Sequence, residues 1–176
     1  MIYVVEGLDR CGKSSFIDVL RSHIKNPKIL VIHSGKPPRD VDPKEWSIDY
    51  YDFLISKSLE MSFFGYDVIL DRAWFGETVY GPIYRNTNIR LDRLEHEIFD
   101  YKDNFRLFMF IDSPENLLNR EDGLSFSINI SDKQNEIDSF VKSFNDTKLS
   151  NKILIDWNHQ KFTKEFLNQL AKEATL

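Results

Sequence analysis

One contiguous segment constrains this chain more than any other, because it matches the phosphate-binding pattern G-x-x-x-x-G-K-[ST] in full: Gly7-Leu8-Asp9-Arg10-Cys11-Gly12-Lys13-Ser14. The apolar residues 2–5 precede it, and a helical pattern follows it directly. In this setting backbone N–H groups surround a phosphate and the positive end of the helix dipole points at it. Lys13 adds a cation, and the Ser14 hydroxyl can bind Mg²⁺. The segment therefore predicts a bound nucleoside triphosphate, in a loop between a strand and a helix.

Short apolar runs alternate with helical patterns along the whole chain. Strands are predicted at residues 2–5, 28–32, 67–70, 106–111 and 152–155. Helices are predicted at residues 13–25, 43–64, 91–103, 114–120, 133–147 and 161–173. This alternation predicts an α/β fold: a parallel sheet with helices on both faces and ligand-binding loops at the carboxyl ends of the strands. Residues 1–176 are expected to form one domain.

Composition argues against several classes of protein. The net charge is −5 and the Lys and Arg residues form no stripe, so a nucleic acid polymer is not an expected partner. No apolar run approaches the roughly 18 residues of a membrane span. Cys11 is the single cysteine, the histidines lack metal-ligand spacing, and no signal-peptide pattern is present. We therefore expect a cytoplasmic protein whose metal is the Mg²⁺ of a nucleotide.

A second motif follows the third predicted strand. The apolar residues 68–70 lead into Asp71 and Arg72. Asp71 can order the hydration shell of Mg²⁺, and Arg72 can contact two phosphates at once. The alternative is a surface ion pair at a strand end. The chain lacks the Asn-Lys-x-Asp motif of GTPases and is too short for a motor ATPase, so the two motifs together favour phosphoryl transfer.

Both motifs resemble those of the thymidylate kinase family. The similar segments are residues 6–15, residues 71–80 (Asp-Arg-Ala-Trp-Phe-Gly-Glu-Thr-Val-Tyr) and residues 110–115 (Phe-Ile-Asp-Ser-Pro-Glu). The chain is shorter than most cellular members and is similar to compact versions in phage genomes, which implies the host cytoplasm if a phage encodes it. The resemblance implies the three-layer P-loop NTPase fold, with a five-stranded parallel sheet in the order 2-3-1-4-5. It also implies a short lid, here residues 121–132, for which an ordinary surface loop is the alternative.

The resemblance further implies transfer of the ATP γ-phosphoryl group to a deoxynucleoside 5′-monophosphate, by default dTMP. Arg10, Lys13 and Arg72 are the implied catalytic cations, and Asp9 is expected to accept a hydrogen bond from the deoxyribose 3′-hydroxyl. Ser14 and Asp71 are the implied contacts of Mg²⁺. The implied ATP site comprises Gly7, Asp9, Arg10, Cys11, Gly12, Lys13, Ser14, Ser15, Arg120 at the start of the lid and Asn158 after the last strand.

The acceptor phosphate is expected near residues 33–39, where the family has an arginine in a proline-containing loop. Lys36 or Arg39 takes that role here, unless both are solvated cations. The family also stacks the acceptor base on an aromatic residue of the next helix. Trp46 and Tyr50 are candidates, although their spacing with Phe53 is more typical of a core face.

The residues expected to contact the base depart from the family pattern. A gap-free alignment places Ser47 and Tyr51 where the family has its base-contacting residues, so the family's arginine is missing. We hypothesise that the Glu77 carboxylate favours a base with N–H donors, such as guanine, or allows several bases. A surface salt bridge between Glu77 and Arg85 is the alternative. Tyr80 matches the tyrosine that excludes a 2′-hydroxyl, or else it is a core aromatic residue.

Two other functions stay open. A deoxynucleoside kinase must deprotonate a neutral 5′-hydroxyl, for which Glu6 is the nearest glutamate, although we expect Glu6 to be buried and ion-paired. A non-catalytic nucleotide-binding module is the other alternative, but the chain retains Arg10 and Arg72. Related enzymes commonly form dimers, so a homodimer through helix 43–64 is a further expectation.

Overall fold

The computed structural model describes residues 1–121, 123, 125 and 127–176, with only the backbone described at position 97. The strands are β1 (Ile2–Gly7), β2 (Ile29–His33), β3 (Asp67–Asp71), β4 (Phe105–Ile111) and β5 (Lys152–Asp156). The α-helices are α1 (Lys13–His23), α2 (Pro43–Phe63), α3 (Phe75–Tyr80), α4 (Leu91–Leu94), α5 (Pro114–Asn119), α6 (Ile130–Asp146) and α7 (Lys164–Ala174). A π-helical turn at Gly81–Arg85 follows α3, and a 3₁₀ segment at His96–Asn104 precedes β4.

The sheet confirms the predicted fold class. In the described part of the chain it has five strands in the order β2-β3-β1-β4-β5, and every neighbouring pair is parallel. In register, Val5 of β1 lies opposite Asp71, which itself lies opposite His33, while Gly7 lies opposite Phe110. The carboxyl ends of β2, β3 and β1 therefore meet at one edge, which is where ligands bind in this class of fold.

The core lies on both faces of the central strands. All residues of β1 are buried, as expected for a parallel strand covered on both sides. On one face Phe16 of α1 packs on Phe108 and Phe110, with ring centroids 4.8 and 5.4 Å apart. On the other face Trp74 and Phe140 are fully buried. The phosphate-binding loop therefore connects a fully buried strand to a helix that packs on the core.

Three local predictions differ from the structure. The helix predicted at 91–103 is instead the short helix α4 followed by the 3₁₀ segment. Residues 75–85, for which the sequence predicts no helix, form α3 and the π-helical turn. Helix α6 begins at Ile130 because the Asn129 side chain accepts the Asp132 N–H at 2.8 Å as an N-cap. Residues 122, 124 and 126 of the predicted lid lie outside the described residues. Among the residues that are described, no helix has the length and hydropathy to cross a membrane.

Candidate active site

The phosphate-binding loop depends on two glycines with left-handed backbone conformations. Gly7 has φ 124° and Gly12 has φ 85°. A Cβ atom on Gly7 would lie 1.9 Å from the Phe110 carbonyl oxygen, and one on Gly12 would lie 2.3 Å from the Phe162 ring. The loop conformation and the packing around it both exclude larger residues at these two positions.

Lys13 is buried at the first turn of α1, and its ammonium group faces back into the loop. Its Nζ donates to the carbonyl oxygens of Gly7, at 2.9 Å, and of Leu8, and it lies 4.0 Å from an Asp9 carboxylate oxygen. Burial lowers the pKa of Lys13, and the nearby Arg72 charge lowers it further. A cation held in this way is suited to a more highly charged partner, such as a polyphosphate.

A cavity of about 400 Å³ lies beside the loop at the carboxyl edge of the sheet. It is lined by residues of the loop, of α1 and of the ends of β2, β3 and α5: Asp9, Arg10, Gly12, Lys13, Ser14, Ser15, His33, Asp71, Arg72, Arg120 and Phe162. We call it the loop cavity. It brings together most residues of the predicted ATP site and both predicted Mg²⁺ contacts.

The segment after β5 packs against the phosphate-binding loop at Cys11. Cys11 is buried, and its carbonyl oxygen accepts a hydrogen bond from the Trp157 indole at 2.7 Å. Burial raises the pKa of the Cys11 thiol to about 12. Asn158 is exposed and does not line the loop cavity among the described residues, whereas Phe162 does. The sequence did not predict these roles of Trp157 and Phe162, because the two aromatic residues belong to no recognisable motif.

Arg10 and Arg120 are tied to each other at the mouth of the loop cavity. The Arg120 guanidinium forms an ion pair with Asp112 and donates to the Arg10 carbonyl oxygen at 2.9 Å. The Arg10 guanidinium donates to the Arg120 carbonyl oxygen and lies 3.3 Å from the Glu121 carboxylate. The predicted lid therefore begins where these two cations meet the phosphate-binding loop.

Arg72 is held in a strained conformation next to the loop. Its φ is 67°, and its guanidinium forms an ion pair with Asp9. Glu6 stabilises this backbone conformation, because its buried carboxylate binds the chain on the carboxyl side of Arg72. It accepts N–H groups from Gly7 at 3.1 Å, Ala73 at 2.7 Å and Gly76 at 3.2 Å. Burial raises the pKa of Glu6. Glu6 is buried as expected, but its described contacts are backbone N–H groups rather than the predicted ion pair.

Asp71 has a partner that the sequence did not reveal. His33, the last residue of β2, places Nδ1 2.8 Å from an Asp71 carboxylate oxygen, and both side chains line the loop cavity. In the sequence, His33 is marked only by its position at the end of the predicted strand 28–32, which pairs with β3 in the structure. The pair fixes the orientation of the Asp71 carboxylate.

Magnesium fits the oxygen donors of the loop cavity only as an ion shared with a ligand. Ser14 and Asp71 offer a hydroxyl and a carboxylate there, and no cluster of three or more His, Cys, Asp or Glu suited to a metal occurs among the described residues. Mg²⁺ is commonly bound through one or two protein oxygens together with phosphates. The donor set therefore fits Mg²⁺ that arrives with a nucleotide.

A second, smaller cavity of about 60 Å³ shares Asp9 and Arg72 with the first. We call it the inner cavity. It is lined by residues from the ends of β1 and β3, from the loop after β2, and from α2, α3 and the π-helical turn: Glu6, Gly7, Asp9, Ser34, Gly35, Lys36, Tyr51, Arg72, Ala73, Gly76, Glu77, Tyr80 and Arg85. The two cavities meet at the ion pair between Asp9 and Arg72.

Some of the residues predicted to bind the acceptor line the inner cavity, and others do not. Lys36, Tyr51, Glu77 and Tyr80 line it, and Arg39 does not. Trp46 and Tyr50 lie outside its described lining as well, stacked on each other with ring centroids 4.6 Å apart. The Tyr50 hydroxyl donates to Ser34 at 3.2 Å, so this stack lies next to the loop that carries Lys36. Phe53 is 62% exposed, so the predicted core face does not include it.

Glu77 is buried, which corrects the idea of a surface residue. It is 2% exposed, and it forms the predicted ion pair with Arg85 at 2.6 Å. Its second oxygen accepts the Thr87 hydroxyl at 3.1 Å. Tyr80 is half-buried and packs edge-on against Phe140, with ring centroids 5.7 Å apart. Burial raises the pKa of Tyr80, so its hydroxyl stays neutral beside the inner cavity.

Comparison with solved structures finds the same fold in the YorR protein and in two kinases. YorR from Bacillus subtilis, solved in complex with phosphorylated GDP, aligns with a TM-score of 0.71 and 16% identity over 99% of this chain and 93% of that one. Thymidylate kinase from Ehrlichia chaffeensis aligns with a TM-score of 0.62 and 14% identity, over 99% and 96%. Deoxyadenosine kinase from M. mycoides with bound dCTP aligns with a TM-score of 0.53 and 12% identity, over 99% and 98%.

Sequence comparison adds nothing to this likeness, because no family model and no curated protein matches the chain. Identities of 12–16% show a shared fold and leave the reaction open. The three-layer P-loop fold is therefore established by the topology and the structural neighbours together.

Proposed function

We propose that the protein transfers the γ-phosphoryl group of Mg-ATP to a deoxynucleoside 5′-monophosphate, with dTMP as the default acceptor and an altered or broad choice of base. The observation that carries this proposal is the junction of the two cavities at Asp9 and Arg72. One ligand on the phosphate-binding loop and another in the inner cavity approach each other there. Both are near a guanidinium that can contact the phosphates of both.

The chain surrounds this junction with the groups that phosphoryl transfer needs. The transition state is loose and carries its charge on the equatorial oxygens of the migrating group, so positioned cations contribute more than covalent chemistry. Lys13, Arg72 and Arg10 line the loop cavity and supply those cations. Mg²⁺ held by Ser14, Asp71 and the nucleotide would neutralise charge on the ATP phosphates. A phosphate acceptor is already an oxyanion and requires no base.

We assign the acceptor nucleotide to the inner cavity. Lys36 is placed to bind its phosphate and Asp9 to accept a hydrogen bond from the 3′-hydroxyl, while Tyr80 packs beside the sugar and disfavours a 2′-hydroxyl. Glu77 and Arg85 lie together in the same lining, at 2.6 Å from each other. The base is therefore expected to meet a buried ion pair.

A deoxynucleoside kinase is the second candidate, and the pair between His33 and Asp71 is the observation that favours it. Its Nδ1 is 2.8 Å from the Asp71 carboxylate, which leaves Nε2 as a group that can take a proton from a hydroxyl. Glu6 does not serve as that base, because three backbone N–H groups already bind its carboxylate. A hydroxyl acceptor would make His33 essential, whereas a phosphate acceptor would not.

The test is ADP release with ATP and Mg²⁺ over a panel of deoxynucleosides and their 5′-monophosphates, with UMP beside dUMP. Turnover of monophosphates, with dUMP faster than UMP, is the expected result. Turnover of nucleosides alone would favour the second candidate, and ATP binding without any turnover would indicate a non-catalytic module. His33→Gln separates the two kinases, since it would abolish transfer to a hydroxyl and lower transfer to a phosphate by less than about tenfold.

A further inference from the structure

The lining of the inner cavity includes a pair of charged groups that are largely buried, Glu77 and Arg85. Arg85 is the last residue of the π-helical turn, and its side chain is 16% exposed. It lines the cavity together with Tyr51 of α2 and Gly76 of α3, so three separate elements meet there. Buried charges of this kind are normally fully hydrogen-bonded.

Arg85 departs from that rule at one atom. Its Nη2 donates to the Glu77 carboxylate at 2.6 Å, but its Nε–H is buried and has no hydrogen-bond partner. A guanidinium donor without a partner inside a protein costs free energy. A ligand atom that accepts this N–H would remove that cost, and Arg85 belongs to the lining of the inner cavity.

Glu77 is unsuited to be the group that selects the base. One of its oxygens accepts from Arg85 and the other from the Thr87 hydroxyl. Gly81 of the turn lies close beside it, since a Cβ atom added to Gly81 would lie 2.8 Å from the same oxygen that binds Thr87. Glu77 is a positioning residue that fixes the plane of the Arg85 guanidinium, and the free hydrogen-bonding group of the pair is a donor.

We propose that Arg85 selects the base of the acceptor nucleotide, by donating its Nε–H to O4 of thymine or uracil or to O6 of guanine. The inference rests on the proposed function, since it assigns the base to the inner cavity. Thymine, uracil and guanine present such an oxygen, whereas cytosine and adenine carry an amino group at the equivalent position. An amino group would place N–H against N–H, which leaves the buried donor without a partner. The protein thus accepts dTMP, dUMP or dGMP and discriminates against dCMP and dAMP.

The experiment measures kcat/KM for these five monophosphates in the intact protein and in Arg85→Leu. The wild-type protein should prefer dTMP, dUMP and dGMP over dCMP and dAMP by roughly 10- to 100-fold, the value of one hydrogen bond from a charged donor. Arg85→Leu should remove most of that preference through a higher acceptor KM, with kcat for the poorer bases nearly unchanged. Arg90→Leu is the matched control, because Arg90 is an exposed arginine nearby that lines neither cavity among the described residues.

Leaving Glu77 without its partner endangers folding, so a second variant replaces both members of the pair by methionine, Glu77→Met with Arg85→Met. It should show the same loss of preference as Arg85→Leu, with a melting temperature close to that of the wild-type protein. A wild-type preference for dCMP or dAMP would overturn the inference, as would a ranking that survives in either variant. If no monophosphate is turned over, the proposed function fails, and calorimetric titration with dTMP and dCMP then decides the inference. Equal affinities would overturn it, whereas tighter dTMP binding that Arg85→Leu abolishes would support it.

Discussion

The loop cavity and the inner cavity adjoin, yet they are built in different ways. Much of the loop cavity comes from one short stretch of chain, whose glycines and helix N-terminus place backbone groups around a ligand. The inner cavity collects residues from β1, α2, α3, the π-helical turn and the loops after β1, β2 and β3, and it depends on buried pairs such as Glu77 with Arg85. The first site is therefore a property of local sequence, whereas the second exists only when the fold is complete.

The largest effect is expected at Lys13, where the loop cavity acts through a charge. Lys13→Ala should lower kcat by roughly 10³-fold or more, because it removes a buried cation from the migrating phosphate. The melting temperature should change little, since burial of the ammonium already lowers its pKa and so makes the charge costly to hold. Lys25→Ala, at an exposed lysine just after α1, is the control. A loss of turnover explained by unfolding in circular dichroism would contradict this assignment.

The next effect is expected at Gly7, where the loop cavity depends on the backbone. Gly7→Ala should destabilise the protein by roughly 3 kcal/mol, from the strained φ and from overlap with the Phe110 carbonyl. Gly65→Ala is the control, because Gly65 also has a positive φ, 81°, but has nothing within 4 Å of its Cβ position. That variant should lose only about 1 kcal/mol. Equal losses by urea denaturation would show that packing does not constrain the loop.

A smaller effect distinguishes the two candidate cations of the inner cavity. Lys36→Ala should raise the KM of the acceptor roughly tenfold, because Lys36 lines the cavity and its charge meets a phosphate. Arg39→Ala should change it less than about twofold, as expected of a solvated cation. Steady-state kinetics with the acceptor varied at saturating ATP measures both values. The opposite order would move the phosphate away from Lys36.

The last prediction concerns the reactivity of Cys11. Burial raises the pKa of its thiol from 9.0 to about 12. The folded protein should therefore react with a thiol reagent at pH 8 far more slowly than the urea-unfolded protein, and Cys11→Ala should give no signal. Between pH 9 and 12 the thiol stays protonated in the folded state and loses its proton in the unfolded state. The contribution of this thiol to stability is therefore complete below pH 9 and falls as the pH rises toward 12. Rapid labelling of the folded protein at pH 8 would contradict the burial.

Sequence reasoning succeeded where the pattern was local and failed where it was not. The glycine spacing of residues 7–14 fixes a turn, and the apolar runs fix the strands, so the loop, the sheet class and the position of Asp71 and Arg72 could all be predicted. The sequence indicated Arg85 only as a salt-bridge partner of Glu77, eight residues before it, because Arg85 belongs to no motif. No such partner was indicated for His33 or Phe162, which reach the loop cavity from distant segments.

The amino-acid sequence alone determined that a phosphate-binding loop follows a buried strand, because backbone conformation depends on a few adjacent residues. Only the tertiary structure decided that Glu77 is a buried partner rather than a surface carboxylate, and that the buried Nε–H of Arg85 has no hydrogen-bond partner. Burial and pairing depend on every element packed around a group, and a single sequence does not state which elements those are.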